Sequence, residues 1–162
     1  MSLTKKSNGS WASRVISDDD LLVLDTCVVL QYLRAKPLGI YIERTFNLRN
    51  RSERPVISIV THAELLSLAR RGNWDAGKQS RLDTLLHEFV TVDISTQDII
   101  EKYAEIDCYA LGLPSSRHMG KNDLWIAATA SLAGAHLLTT DKDFEPLDRV
   151  FFDLVWIDPT ST

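Results

Sequence analysis

The chain has 162 residues, a hydrophobic fraction of 44%, a charged fraction of 25% and a net charge of −4. These values suit one soluble domain with a full core and carry no global basic signal for a polyanion partner. The two cysteines, Cys27 and Cys108, lie far apart and form no Cys-x-x-Cys pair, so neither a disulfide framework nor a zinc site is indicated and a reducing cytoplasm is the simplest reading.

Residues 1–17 are mostly Ser, Lys, Asn and Gly, without the apolar run of a leader, and read as a flexible tail before a single domain over 18–162. Leu21–Leu24 is a short uninterrupted apolar run, as expected of a strand buried on both faces, and Asp25 follows it directly. Val28, Val29, Tyr32 and Leu33 then give a helical stretch that runs to Pro37, and residues 38–48 a second helix. Val56–Val60 is β-branched and reads as strand two, followed by a helix from Thr61 to Arg71 that Gly72-Asn73 stops.

Leu82, Leu85, Leu86 and Phe89 have i, i+3, i+4, i+7 spacing, and Phe89–Val92 reads as strand three. Ile99, Tyr103, Ile106 and Ala110 mark another helix, and a small-residue helix opens near Asp123. Strands at His136–Thr140 and Phe151–Ile157 complete the chain. Apolar strands joined by helical connections of a dozen or more residues imply an α/β fold with a mostly parallel central sheet of four to five strands, flanked by helices in three layers. Such sheets gather ligands at the carboxyl ends of their strands.

Four acids share that address. Each has an ordinary local role. Asp25 is placed to cap a helix, and Thr61-x-x-Glu64 matches a capping box. Asp123 sits in a first helical turn, and Asp141 opens a turn after a strand. Taken together they read differently: four carboxylates on one rim repel unless a cation neutralises them, and oxygen-only ligands select hard ions such as Mg²⁺ or Mn²⁺. No phosphate-binding glycine loop and no Gly-x-Ser-x-Gly elbow is present. His62 reads as a helix-surface residue. Arg49, Arg51, Arg54, Arg70, Arg71, Arg117, His118 and Lys121 are candidates for a phosphate-binding rim.

With these acids in order, the sequence resembles the PIN-domain ribonucleases, and within them the VapC-like toxins of type II toxin–antitoxin pairs. The segments that carry the resemblance are Leu22–Thr26, Val56–Leu65, Asp123–Ala130 and Leu137–Phe144. The resemblance implies an endoribonuclease in which Asp25, Glu64, Asp123 and Asp141 bind Mg²⁺ or Mn²⁺ and metal-activated water hydrolyses RNA. Thr139 matches a supporting hydroxyl position, Thr26 follows the first acid, and Asp143 is a weaker candidate for the fourth. Cys27 stands where the family usually has Asn or another small residue. The implied partners are RNA and a protein antitoxin, with a homodimer admitted and no membrane. Two other readings stay open: an RNase H-like nuclease, and a non-catalytic RNA- or partner-binding module in which the acids only cap helices.

Overall fold

The computed structural model describes residues 3–5, 11–13, 15–114 and 119–161. Among the described residues seven strands form one sheet: β1 (Leu3–Lys5), β2 (Trp11–Ser13), β3 (Leu22–Leu24), β4 (Val56–Ser58), β5 (Val90–Val92), β6 (His136–Thr139) and β7 (Asp153–Trp156). Their order across the sheet is β2-β1-β7-β6-β3-β4-β5. The five strands from β7 to β5 are parallel, so the expected architecture holds. β3 lies at the centre, with Leu22, Val23 and Leu24 in register with His136, Leu137 and Leu138.

Six helices connect the strands: α1 (Thr26–Arg34), α2 (Pro37–Phe46), α3 (Ile59–Arg71), α4 (Ala76–Glu88), α5 (Gln97–Leu111) and α6 (Lys121–Ala133). Successive strand residues point to opposite faces, and the core divides accordingly. Leu22, Leu24, Leu138 and Val155 pack with α1, α2 and α4 through Val28, Ile42, Phe46 and Leu85. Val23, Leu137 and Leu154 pack on the other face with Ile99 and Ile106 of α5 and with Leu124, Ala127 and Ala128 of α6. Small residues let α6 lie close to the sheet. β3 leads straight into α1 and a parallel crossover to β4, not into the antiparallel hairpins of an RNase H-like fold.

Three local expectations change. Strand two ends at Ser58, and α3 begins at Ile59, so Ile59 and Val60 are helical despite their β-branched side chains. Ser58 is the N-cap and accepts from the Val60 amide, which removes Thr61 and Glu64 from any capping box. Within the stretch 1–17, expected to be a tail, β1 and β2 pair antiparallel and β1 meets β7 at Leu3 and Trp156. An open sheet edge offers unpaired backbone groups to any neighbouring segment, and here the chain's own start takes them.

Two of the arginines placed on a rim are structural. Arg51 is buried and donates to the carbonyls of Phe46, Ser17 and Asp20, with Asp18 at 3.7 Å. Arg54 donates to the carbonyls of His87, Glu88 and Phe89, satisfying the end of α4. His62, expected on a helix surface, is half-buried, and its Nδ1 is buried without a hydrogen-bond partner among the described residues.

Candidate active site

Parallel strands ending together bring the acids to one cleft of about 790 Å³, lined by Asp25, Thr26, Cys27, Glu64, Asn122, Asp123 and Asp141 among others. Asp25 leaves the carboxyl end of β3 and is only 5% exposed. It stands at the N-cap position of α1 but makes no side-chain cap bond. Instead its Oδ2 accepts from Thr139 Oγ1 at 2.7 Å and from the Cys27 thiol at 2.9 Å. Burial raises the Asp25 carboxyl above its ordinary value; the two donors pull the other way, and Asp141 adds to the rise.

Glu64 lies in the second turn of α3 and is held from two sides. Thr26 Oγ1 donates to its Oε2, and Asn122 Nδ2 donates to its Oε1 at 2.7 Å. Thr26 is itself within 3.4 Å of the buried Thr61 hydroxyl. Asn122 was not singled out in the sequence. Its only local signal was adjacency to Asp123, because its role depends on α3 and α6 meeting across the cleft.

Asp123 sits in the first turn of α6, where Gly120 is the N-cap. A Cβ at Gly120 would lie 2.7 Å from Asp123 Oδ2, so the missing side chain makes room for the carboxylate. Burial, then the charges of Asp25, Asp141, Glu64 and Asp143, push the Asp123 carboxyl up to about 6. The helix N-terminus, which would favour the ionised form, does not outweigh them. Asp141 has the bland role as well: it caps the 3-10 helix Lys142–Leu147 by accepting from the Asp143 amide at 2.9 Å. Asp143 is exposed beside it and contributes to the field on Asp123.

Among the basic candidates, Arg71 lines the cleft. Lys121 turns toward α5, 3.5 Å from Asp107 and over the Tyr103 ring. Arg117 and His118 lie outside the described residues.

The donor chemistry fits a hard divalent cation. Asp25, Glu64, Asp123 and Asp141 offer only carboxylate oxygens, and the Cys27 thiol is pushed up to about 12 by burial and by Asp25, so it adds no soft thiolate. Among the described residues no three His, Cys, Asp or Glu side chains yet close on a common point at ligand distance. Asp25, Glu64 and Asp141 are instead held by neighbouring donors, and all four carboxylates line a shared space.

A parallel sheet carrying a carboxylate cluster at its strand ends defines a class of hydrolytic α/β domain, and the chain belongs to the PIN-domain family, whose model matches residues 22–150. Ribonuclease VapC1 of Haemophilus influenzae strain R2866 is 32% identical over 143 residues, covering 87% of this chain and 99% of that protein. Among solved structures, VapBC2 from Rickettsia felis bound to a DNA fragment from its promoter superposes with a TM-score of 0.69 at 24% identity, over 85% of this chain and 99% of that one. VapBC-1 from nontypeable Haemophilus influenzae gives a TM-score of 0.66 at 24% identity, over 83% of this chain and 96% of that one. At such identities the structural likenesses speak to the fold.

Proposed function

We propose that the chain is a divalent-metal-dependent endoribonuclease of the VapC type, acting in the cytoplasm as the toxin of a toxin–antitoxin pair. The observation that carries this reading is geometric: Asp25, Glu64, Asp123 and Asp141 line one cleft at the carboxyl ends of parallel strands, and burial with the neighbouring acids raises the Asp123 carboxyl. Buried carboxylates that also repel one another in a cleft make sense when a cation offsets their charge. Capping accounts for Asp141 but not for Asp25, which makes no cap bond, or for Glu64, which lies beyond the first turn of its helix.

In this reading Asp25, Glu64, Asp123 and Asp141 hold Mg²⁺ or Mn²⁺, with Asp143 an outer contributor. The bound ion supplies positive charge that activates water and stabilises the phosphodiester as it is attacked. Thr139 orients Asp25 through its 2.7 Å bond, while Thr26 and Asn122 fix the Glu64 carboxylate. Arg71, on the cleft wall, takes an RNA phosphate, and Arg117, His118 and Lys121 are further basic candidates for such a contact. The folding unit that does this spans 18–162, with the β1–β2 hairpin added at the β7 edge.

The partner follows from the relatives. Ribonuclease VapC1 supplies the activity by name, and the VapBC structures are toxin–antitoxin assemblies. Among the described residues no helix is long and apolar enough to cross a membrane. Incubation of the purified protein with RNA tests the reading. Cleavage in Mg²⁺ or Mn²⁺, stopped by a chelator and restored by excess ion, is expected; cleavage indifferent to the chelator, or none under any ion, would refute it.

A further inference from the structure

We propose that Cys27 is a positioning residue whose thiol ties the Asp25 carboxylate to the turn that carries Asp141. The proposal rests on the reading of the cleft as an ion-dependent nuclease centre. Two short paths join these acids. In one, the Asp141 amide donates to Thr139 Oγ1 at 2.9 Å, and that hydroxyl donates to Asp25 Oδ2 at 2.7 Å. In the other, the Thr140 amide donates to Cys27 Sγ at 3.4 Å, and the thiol donates to the same Asp25 Oδ2 at 2.9 Å.

The paths are parallel in construction. Each starts on a backbone N–H just after β6 and passes through a side-chain group that both accepts and donates. Each ends on one carboxylate oxygen. Two donors arriving at Oδ2 from different elements, β6 and α1, fix the rotation of the Asp25 carboxylate. The peptide they grip is held from its other side too, because the Trp156 indole donates to the Thr140 carbonyl at 3.1 Å. Sulfur suits this place. A thiol can accept one hydrogen bond and give one, and its longer bonds span a gap between strand end and helix start. Thr139 and Cys27 stand 3.6 Å apart, close enough for either to shift the other.

Partners one shell out from a metal ligand orient it, and their loss typically weakens ion binding by about 10–100-fold. Titration calorimetry of Mn²⁺ into wild type, Cys27→Ala and Cys27→Ser is the first test. Cys27→Ala should raise the dissociation constant ~10-fold, and Cys27→Ser, which keeps an accepting and donating group, should restore most of that loss. A general structural role would instead lower the melting temperature of both variants without this split.

The second test needs no ion and no change at Cys27. Cys27 and Cys108 are the chain's two thiols, and Cys108 is exposed. In Cys108→Ser the infrared S–H stretch belongs to Cys27 alone, and a hydrogen bond to a carboxylate should displace it to lower frequency than that of a free thiol. Wild-type Mn²⁺ affinity in Cys27→Ala, or an undisplaced S–H band, would overturn the proposal alone. A wild type that binds no divalent ion while the band is displaced would overturn the nuclease reading instead.

Discussion

Asn122 Nδ2 donates to Glu64 Oε1 at 2.7 Å, joining α6 to α3 through two residues 58 positions apart in sequence. Thr26 holds the other oxygen of the same carboxylate. Asn122 is exposed and packs no core, so Asn122→Ala should leave the melting temperature nearly unchanged. Freed on one side, Glu64 should lose its orientation, and single-turnover RNA cleavage should slow about tenfold. Equal rates for variant and wild type would place Glu64 outside the reacting geometry.

The elevated Asp123 carboxyl makes a pH prediction with a definite sign. Its folded-state value of about 6 lies above the ordinary 3.8, so between those values the folded state binds more protons than the unfolded chain. Stability from this group is therefore greatest at low pH and is lost as pH rises through about 6. In chelator, Asp123→Asn should gain stability relative to wild type as pH is raised across that window. Paired thermal melts measure the difference, which removes the common acid denaturation of the other carboxylates.

Gly120 offers a way to move Asp123 without deleting it. Its φ of −57° suits any residue, so Gly120→Ala strains no backbone. The new methyl would meet Asp123 Oδ2, the free end of a side chain, which must swing aside. The fold should persist and cleavage should fall by about tenfold or more, as for misplaced catalytic groups generally. Wild-type cleavage by Gly120→Ala would show that the exact seat of this carboxylate is immaterial.

Much of this arrangement was legible in the sequence because periodicity is local. Leu21–Leu24 announced β3, and Leu82, Leu85 and Leu86 announced the buried face of α4. The carboxylates were legible once a parallel sheet was inferred, since strand order then gives them a common end. What could not be read depended on contacts between distant segments. Arg51 and Arg54 looked like surface cations, yet their guanidinium groups bind main-chain carbonyls of other segments. Thr61-x-x-Glu64 looked like a cap until Ser58 took that role one turn earlier. Thr26, Cys27 and Asn122 acquired their partners only when α1, α3, α6 and β6 came together.

Arg51 gives the corresponding stability prediction. Its side chain is 1% exposed and serves three carbonyls, two of them in the segment before β3. Arg51→Ala strands those acceptors and leaves a void, and should cost about 2–4 kcal/mol in urea unfolding. Deleting residues 1–14 spares these bonds and removes only an edge hairpin, so it should cost much less. A larger loss from the deletion than from Arg51→Ala would move the domain boundary toward the N-terminus.

If the acidic cleft is an ion-dependent ribonuclease centre, Asp123, whose carboxyl feels burial and the charges of Asp25, Asp141, Glu64 and Asp143, is the acid to remove. Single-turnover cleavage of RNA in Mn²⁺ by wild type and by Asp123→Asn, with both shown folded by circular dichroism, tests this most directly. Wild-type cleavage should be abolished by chelator, and the variant should lose about a hundredfold or more in rate. Ion-dependent cleavage that survives Asp123→Asn at the wild-type rate would contradict it.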